Sequence, residues 1–455
     1  MLDIVLVVAL AATLAFPLVA RARRGAFDIF EPVVVFAAAY GMMFVVRPAA
    51  MLVEDNIVFA SARQVLDVSA TFTEMLLLAL LGAVFFVAGY ELPAGARLAK
   101  LHRGPDDSVE SGHVLAAAVV FGLVGFAAYV ATLASTGLKD GLLGIFHAGN
   151  TELPDAGSLS MYASFLSLLL VPASLVTLAL ALARRRPAYT VVALSLATLF
   201  AVLAVPAGRR IALLPLMGGA VVLWYVARGT RPSTRVVAAM VVLALVGATF
   251  LSDLRGRATR NEGLVATIER SLDPSRLQDA ATIGPDTEMA PALAAALTAI
   301  PERLDRGYGT VVFGDLVRRP VPRSVWEAKP VIPRHELLAT VWPIEYERGT
   351  INAEFSILLY FYWDFGLPGI VLGLAALGIL ARYMYEYFLR FRERSYAQVV
   401  YAIGLWFVVI GLRDSPVDTF VRSCFVLVPV WMIYLVASRA GGRARTRVSI
   451  GARPA

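Results

Sequence analysis

The stretch EFSILLYFYWDFGLPGIVLGLAALGILA, from Glu354 to Ala381, decides the fold class of this chain. Its only charged residues are Glu354 and Asp364, and it exceeds the roughly 20 residues that a helix needs to cross a bilayer. Similar apolar runs recur along the 455 residues, of which 58% are hydrophobic and 16% charged. A soluble protein of this size carries about 25% charged residues. The sequence therefore predicts an all-α, polytopic membrane protein, because the short alternating strands of a membrane barrel are not seen.

The apolar runs predict eleven transmembrane helices. They cover residues 2–20, 29–46, 74–92, 113–134, 159–183, 188–206, 211–227, 236–252, 354–381, 397–412 and 417–437. This divides the chain into eight helices in 1–252, a long connection in 253–352, three helices in 353–437 and a basic tail in 438–455. The first run begins at residue 2 with no basic segment before it, so we expect a retained helix rather than a cleaved signal peptide.

The distribution of Lys and Arg predicts the sidedness of the helices. Alternate short connections, taken together with the tail, carry 21 cations, and the other short connections carry six. Because cytoplasmic segments hold the excess of Lys and Arg, the C-terminus is predicted to be cytoplasmic and the N-terminus outside. The same placement of cations beside apolar runs excludes nucleic acid as the reason for the net charge of +7.

The connection 253–352 is predicted to be a large extracytoplasmic loop. It holds 13 Lys or Arg and 14 Asp or Glu, and a long loop is exempt from the charge rule. Residues 264–273 have helical spacing, and 287–309 are predicted to form a helical hairpin or an amphipathic surface helix. The prolines of RRPVPRSVWEAKPVIP, residues 318–333, favour a stiff, extended path instead. A single long loop is where we expect specialised chemistry.

Arginines on the predicted outer side suggest a binding site for a diphosphate. Arginine remains charged and presents a planar fork to phosphate oxygens. The candidate diphosphate-binding residues are Arg209, Arg210, Arg318, Arg319, Arg323 and Arg413. Each has an alternative reading: Arg209 and Arg210 as interfacial anchors, the 318–329 segment as a lipid-headgroup contact, and Arg413 as a partner of Asp414 in a local ion pair.

Candidate catalytic and sugar-binding residues lie close by. His335 and Glu354 are the candidate general bases, His335 as an extramembrane imidazole and Glu354 as a carboxylate at the entrance to an apolar run. A loop histidine with no chemical role is the alternative for His335, and Glu336, Glu345 and Glu347 compete for the same role.

Aromatic residues offer stacking platforms for sugars, with an interfacial aromatic belt as the alternative. The candidates are Trp326, Tyr362 and Trp363. The helix is expected to kink or re-enter near Gly366–Pro368.

Several chemistries are not supported by the sequence. One cysteine, Cys424, and four histidines without paired spacing predict no metal site. No glycine-rich phosphate loop is found, so a soluble nucleotide sugar is not the expected donor and no cofactor is predicted. A sugar diphosphate linked to a membrane lipid fits better. A flippase for the same lipid-linked glycan is the rival, but no internal repeat typical of transporters is seen.

The motifs PVPRSVWEAKP, the stretch from FYWDFGLPG onward, and GLRDSPVDTF resemble the bacterial O-antigen polymerases, also called oligosaccharide repeat-unit polymerases. The likeness covers about residues 310–425, and over the first 250 residues it is architectural. The resemblance implies a glycosyltransferase of the plasma (inner) membrane that joins undecaprenyl-diphosphate-linked oligosaccharide units on the outer face, without metal or nucleotide.

The resemblance also implies partners and a neighbouring alternative. The partners are membrane lipid, the lipid-linked oligosaccharide, and a chain-length regulator and flippase of the same pathway. The product is O-antigen, capsule or exopolysaccharide. The related O-antigen ligases usually have a histidine near the DFGLPG region, where this chain has Glu354, so the polymerase is favoured over the ligase.

Overall fold

The chain is described from a computed structural model. The structure describes residues 1–60, 65–102, 104, 110–136, 165–205, 210–260, 264–277, 287–321, 325–348, 351 and 353–451. Eighteen α-helices are described in these ranges: α1 (Leu2–Arg23), α2 (Pro32–Gly41), α3 (Arg47–Val53), α4 (Ser69–Glu91), α5 (Pro93–Leu101), α6 (Ser111–Thr136), α7 (Leu170–Arg184), α8 (Pro187–Ala204), α9 (Arg210–Ala227), α10 (Thr234–Arg260), α11 (Leu264–Ser271), α12 (Met289–Leu297), α13 (Asp315–Arg318), α14 (Pro333–Val341), α15 (Pro343–Glu347), α16 (Ile357–Arg390), α17 (Ser395–Arg413) and α18 (Pro416–Gly451). The strands β1 (Val58–Ala60) and β2 (Val65–Asp67) form one small antiparallel hairpin.

The prediction of an all-α polytopic membrane protein is confirmed. Within the described ranges, nine helical segments are long and apolar enough to cross a membrane. Two shorter apolar helices, Pro187–Val202 and Leu213–Ala227, lie where the sequence predicts the sixth and seventh spans. Only 11% of the Thr234–Leu254 span is buried, which is the surface expected of a helix surrounded by lipid.

The two ends of the bundle are distinguished by their contacts. At one end, Thr73 donates a hydrogen bond to Asp3 (2.6 Å), and Thr71 donates one to the carbonyl of Ala294 (2.7 Å). This end, which also holds the described parts of residues 287–356, is called the loop face below. The first residues of α1, α4 and α16 lie there together with the last residue of α17, so α17 runs in the opposite direction to α16.

The opposite face carries a network of ion pairs between helices. Arg231 forms a bidentate pair with Asp28, with distances of 2.7 and 2.6 Å. Glu31 accepts bonds from Arg21 (2.7 Å) and from the hydroxyl of Tyr90 (2.9 Å). The pairs satisfy the charges of these partly buried groups and connect the ends of α1, α2 and α4 on this face.

Close packing of α4 on α16 forms the centre of the bundle. A Cβ on Gly89 would lie 2.2 Å from the carbonyl oxygen of Ala375, and one on Gly378 would lie 2.2 Å from that of Phe86. No side chain fits at either place, so the two backbones approach as small residues allow in membrane helices. These contacts fix the part of α16 beyond its kink against the last turns of α4.

The long connection packs into the bundle more deeply than the sequence suggests. Residues 264–271 are helical as expected, but the prediction of a surface helix within 287–309 is wrong. All nine residues of α12 are buried. The sequence MAPALAAAL has no polar side chain, so it lacks the wet face that an amphipathic surface helix requires. This helix contacts α3, α4, α14 and α16.

Candidate functional site at the loop face

The start of α16 is kinked, as the sequence predicts. Gly366 has φ 65° and ψ −147°, a conformation that essentially only glycine adopts. Pro368 has no N–H and cannot bond the carbonyl of Asp364, four residues before it. The N–H of Tyr308 donates to that carbonyl instead (2.9 Å). The kink therefore leaves the backbone carbonyl of Asp364 available as a hydrogen-bond acceptor for the long connection.

The backbone carbonyls of the two preceding residues, Trp363 and Tyr362, also accept hydrogen bonds from the long connection. The N–H of Gly307 donates to Trp363 (3.0 Å), and the guanidinium of Arg306 donates to Tyr362. In return, the indole N–H of Trp363 donates to the carbonyl of Asp305 (3.0 Å). Residues 305–308 are thus bound along the kinked turn of α16.

The carboxylate of Asp364 continues this attachment. It is fully buried and accepts three backbone N–H bonds, from Gly309 (2.7 Å), Val311 (3.1 Å) and Val312 (3.0 Å). These donors begin the π-helix Thr310–Gly314, which leads directly into α13 and its arginines. Asp364 therefore fixes the position of the arginine-bearing segment. The sequence shows Asp364 as a charge within an apolar run but gives no indication of its partners.

Arg319 lies at the centre of the loop face. Its guanidinium pairs with Asp315 (2.5 Å) and with Asp418 in α18 (2.8 Å), and the residue is buried. Burial by itself lowers the pKa of Arg319, but the carboxylates of Asp418 and Asp315 outweigh burial and raise the pKa above its ordinary value. Arg319 therefore remains charged and joins the long connection to the last helix.

The beginning of α18 has a capping arrangement. The hydroxyl of Ser415 accepts a bond from the N–H of Asp418 (3.0 Å) and donates one to its carboxylate (2.9 Å). Beside it, Asp414 accepts a hydrogen bond from Arg422. Burial raises the pKa of Asp414 to about 6, although Arg422 and the nearby Arg413 act to lower it.

Arg334 is a functional candidate that the sequence analysis missed. Its guanidinium pairs with Glu354 (3.1 Å) and donates to the carbonyl of Ala353 (3.1 Å). Arg334 occupies the first turn of α14, just after Pro333. The available signal was its place next to His335, at the end of the proline-rich segment.

These side chains border a small cleft of about 210 Å³, a volume that includes space open to solvent. Its polar lining consists of Asp315, Arg319, Arg334, Tyr360, Ser415 and Asp418. The space enclosed between these side chains is about that of one water molecule, so a charged head group can enter only when ion pairs of the lining separate.

Comparison with protein-family models, with curated proteins and with solved structures finds no match to this chain. The functional argument therefore depends on the cleft and its charges.

The charges around the cleft balance. Four arginines and four carboxylates of the described residues form this cluster: Arg319, Arg334, Arg413 and Arg422 with Asp315, Glu354, Asp414 and Asp418. An arginine buried without a counter-charge is costly, so the carboxylates stabilise the cluster when no ligand is bound. An anionic ligand at the cleft must compete with them for the arginines.

The predicted diphosphate residues take different places. Arg319 lines the cleft, and Arg413 lies close enough to Asp414 to affect its pKa. Arg318 donates to the carbonyls of Gly314 (3.0 Å) and Thr310 (2.9 Å) in its own turn. Arg209 and Arg323 lie outside the described residues, and Arg210 is described only as the first residue of α9.

The candidate bases and stacking residues lie around the cleft, but none lines it. His335 is within 3.1 Å of the hydroxyl of Tyr346, while Glu354 is held by Arg334. The ring of Trp363 is buried, and the hydroxyl of Tyr362 donates to Glu74 (2.8 Å), so stacking on these rings requires their exposure.

Trp326 is the stacking candidate with an accessible ring, at 38% exposure.

Proposed function

We propose that this protein is a membrane glycosyltransferase that polymerises oligosaccharide units linked to undecaprenyl diphosphate. It acts at the outer face of the plasma membrane and builds a surface polysaccharide. The residues that carry the resemblance to O-antigen polymerases include the kinked turn of α16 and the GLRDSPVDTF segment that borders the cleft. The charge distribution of the short connections supports an outward orientation of the loop face.

The observation that carries the proposal is the presence of two arginines, Arg319 and Arg334, in one cleft where the long connection meets the start of α18. Each arginine can bind two phosphate oxygens through parallel N–H groups. In the proposal, the diphosphate lies in this cleft beside the start of α18, with its lipid in the bilayer and its glycan extending away from the membrane.

The chemistry required of the protein is electrostatic. A polyprenyl diphosphate is a good leaving group, and the reaction needs stabilisation of the negative charge that develops on it. Charged donors fixed in advance provide this stabilisation, and each contributes on the order of 10²–10³ in rate. A second requirement is the alignment of the acceptor hydroxyl with the anomeric carbon of the donor.

The proposal is tested with purified protein in nanodiscs, given synthetic undecaprenyl-diphosphate-linked repeat units without added nucleotide or metal. We expect a ladder of polymer on a gel. Arg334→Ala is expected to reduce its yield by about 10²–10³. Arg348→Ala is the matched control, because Arg348 is an exposed arginine of the loop face outside the cleft.

Three outcomes count against the proposal. Movement of labelled lipid-linked glycan across a proteoliposome bilayer without a ladder would indicate a flippase. Transfer of finished glycan to a lipid A core without chain growth would indicate a ligase. Equal polymer ladders from the wild type and Arg334→Ala would show that the cleft is not needed for polymer synthesis.

A further inference from the structure

Arg319 shares its guanidinium between two carboxylates that differ in accessibility. The side chain of Asp315 is 6% exposed, and that of Asp418 is 22% exposed. Both border the cleft, but Asp418 comes from α18 and Asp315 from the same turn as Arg319. Asp418 is therefore the carboxylate that a ligand in the cleft can reach more readily.

We propose that Asp418 is the proton acceptor of the transfer reaction, and that it is released for this task when a diphosphate takes its place on Arg319. This inference rests on the proposed function. Asp418 replaces His335 and Glu354 as the candidate base, because neither of those residues lines the cleft that contains Arg319 and Arg334.

The bonds of Asp418 suit such an exchange. One oxygen is held by Arg319 (2.8 Å) and the other by the hydroxyl of Ser415 (2.9 Å). When diphosphate oxygens bind Arg319, the first oxygen loses its partner while Ser415 still orients the carboxylate. A carboxylate that has lost its arginine and lies beside an anion accepts a proton more readily. Binding of the donor diphosphate to Arg319 thus frees Asp418 to act as the base.

The step balances as a simple displacement. The acceptor hydroxyl oxygen forms a bond to the anomeric carbon of the donor, and the bond from that carbon to the diphosphate oxygen breaks. The electron pair of the broken bond remains on the diphosphate, next to Arg319 and Arg334. The hydroxyl proton passes to Asp418. No oxidant, metal or further reactant is needed.

The exchange also explains the balanced charges of the cleft. Asp315 retains its hold on Arg319 (2.5 Å) when Asp418 is displaced, so the guanidinium is never left without a carboxylate. Asp418 occupies the place on Arg319 that the diphosphate takes in the proposal. Its pairing with Arg319 keeps both charges satisfied between turnovers.

The experiment measures two quantities for each full-length variant in nanodiscs: binding of labelled undecaprenyl diphosphate and synthesis of the polymer ladder. For Asp418→Asn we expect binding as tight as in the wild type or severalfold tighter, because a competitor for Arg319 is lost. Synthesis is expected to fall by about 10²–10³, which is typical of the loss of a general base. A purely structural role predicts that binding and synthesis fall together.

Two control variants separate the base from its surroundings. Asp315→Asn removes the other carboxylate of Arg319, and we expect tighter binding with a loss of synthesis below about tenfold. Ser415→Ala removes the hydroxyl that orients the carboxylate but leaves the carboxylate itself, so we expect a loss of synthesis between those of Asp315→Asn and Asp418→Asn. If Ser415→Ala lowers synthesis as much as Asp418→Asn does, the defect follows from loss of the cap formed by Ser415 and not from loss of a base, and the inference is wrong.

The remaining outcomes distinguish the inference from the function. A ladder from wild type and an equal ladder from Asp418→Asn overturn the inference alone. The same holds if His335→Ala or Glu354→Gln abolishes synthesis with binding intact while Asp418→Asn does not. The absence of a wild-type ladder with matched repeat units overturns the proposed function and this inference together.

Discussion

Asp364→Asn is expected to detach the segment 305–314 from α16 and to lower the free energy of unfolding by about 2–5 kcal/mol. The buried carboxylate accepts three backbone N–H groups, from Gly309, Val311 and Val312. An amide has one acceptor oxygen, so its NH₂ group would face at least one N–H donor. Each hydrogen bond to a charged group contributes roughly 1.5–3 kcal/mol. The measurement is thermal unfolding in detergent together with limited trypsin digestion.

Trypsin is expected to cleave the variant at Arg303, Arg306 and Arg318 much faster than the wild type. Asp305→Asn is the matched control, because the side chain of Asp305 is exposed and only its backbone carbonyl bonds Trp363. An unchanged melting temperature and an unchanged digestion pattern for Asp364→Asn would show that the segment is held by other contacts.

The second large effect is expected at Arg319. Removal of its guanidinium leaves Asp315 and Asp418 buried or half-buried without their counter-charge, and the loss of one partner of such a pair costs about 3–5 kcal/mol. Arg319→Gln is therefore expected to lower both stability and polymer synthesis. Arg319→Lys retains the charge but not the fork that reaches two carboxylates, so a smaller loss is expected for both.

A double variant separates the two roles of Arg319. Arg319→Gln with Asp315→Asn removes one positive and one negative charge, and we expect it to regain most of the lost stability. Synthesis is expected to remain about 10²–10³ below the wild type, because the guanidinium of Arg319 is lost from the cleft. Melting temperature and ladder yield are measured on the same preparations. Recovery of both would show that Arg319 is only a structural ion-pair partner.

Local sequence patterns were sufficient to predict the helices and the kink. Apolar runs indicate the transmembrane helices directly, because a helix needs about 20 apolar residues to cross a bilayer. Glycine and proline at positions 366 and 368 likewise act on the backbone near them. These signals need no knowledge of distant residues. The buried helix α12 was misread because an alanine-rich helix gives little sign of what covers it.

The partners within the site could not be predicted in the same way. The sequence predicts that Arg319 binds an anion, but it gives no sign that Asp418 is its partner. Their pairing joins residues 99 positions apart in the chain. The role of Arg334 likewise depends on its bond to Glu354, twenty residues further along the chain. Such pairings are decided by tertiary packing, which the spacing of charges in a sequence does not report.

The central claim is that a lipid diphosphate binds in the cleft between α13, α14 and α18. The most direct measurement is a cryo-electron microscopy structure of the protein in nanodiscs with undecaprenyl diphosphate. We predict phosphate density about 3 Å from the guanidinium groups of both Arg319 and Arg334, with the bond between Arg319 and Asp418 broken. Diphosphate density on the opposite face, near Arg21 or Arg231, with an unchanged cleft would contradict the account.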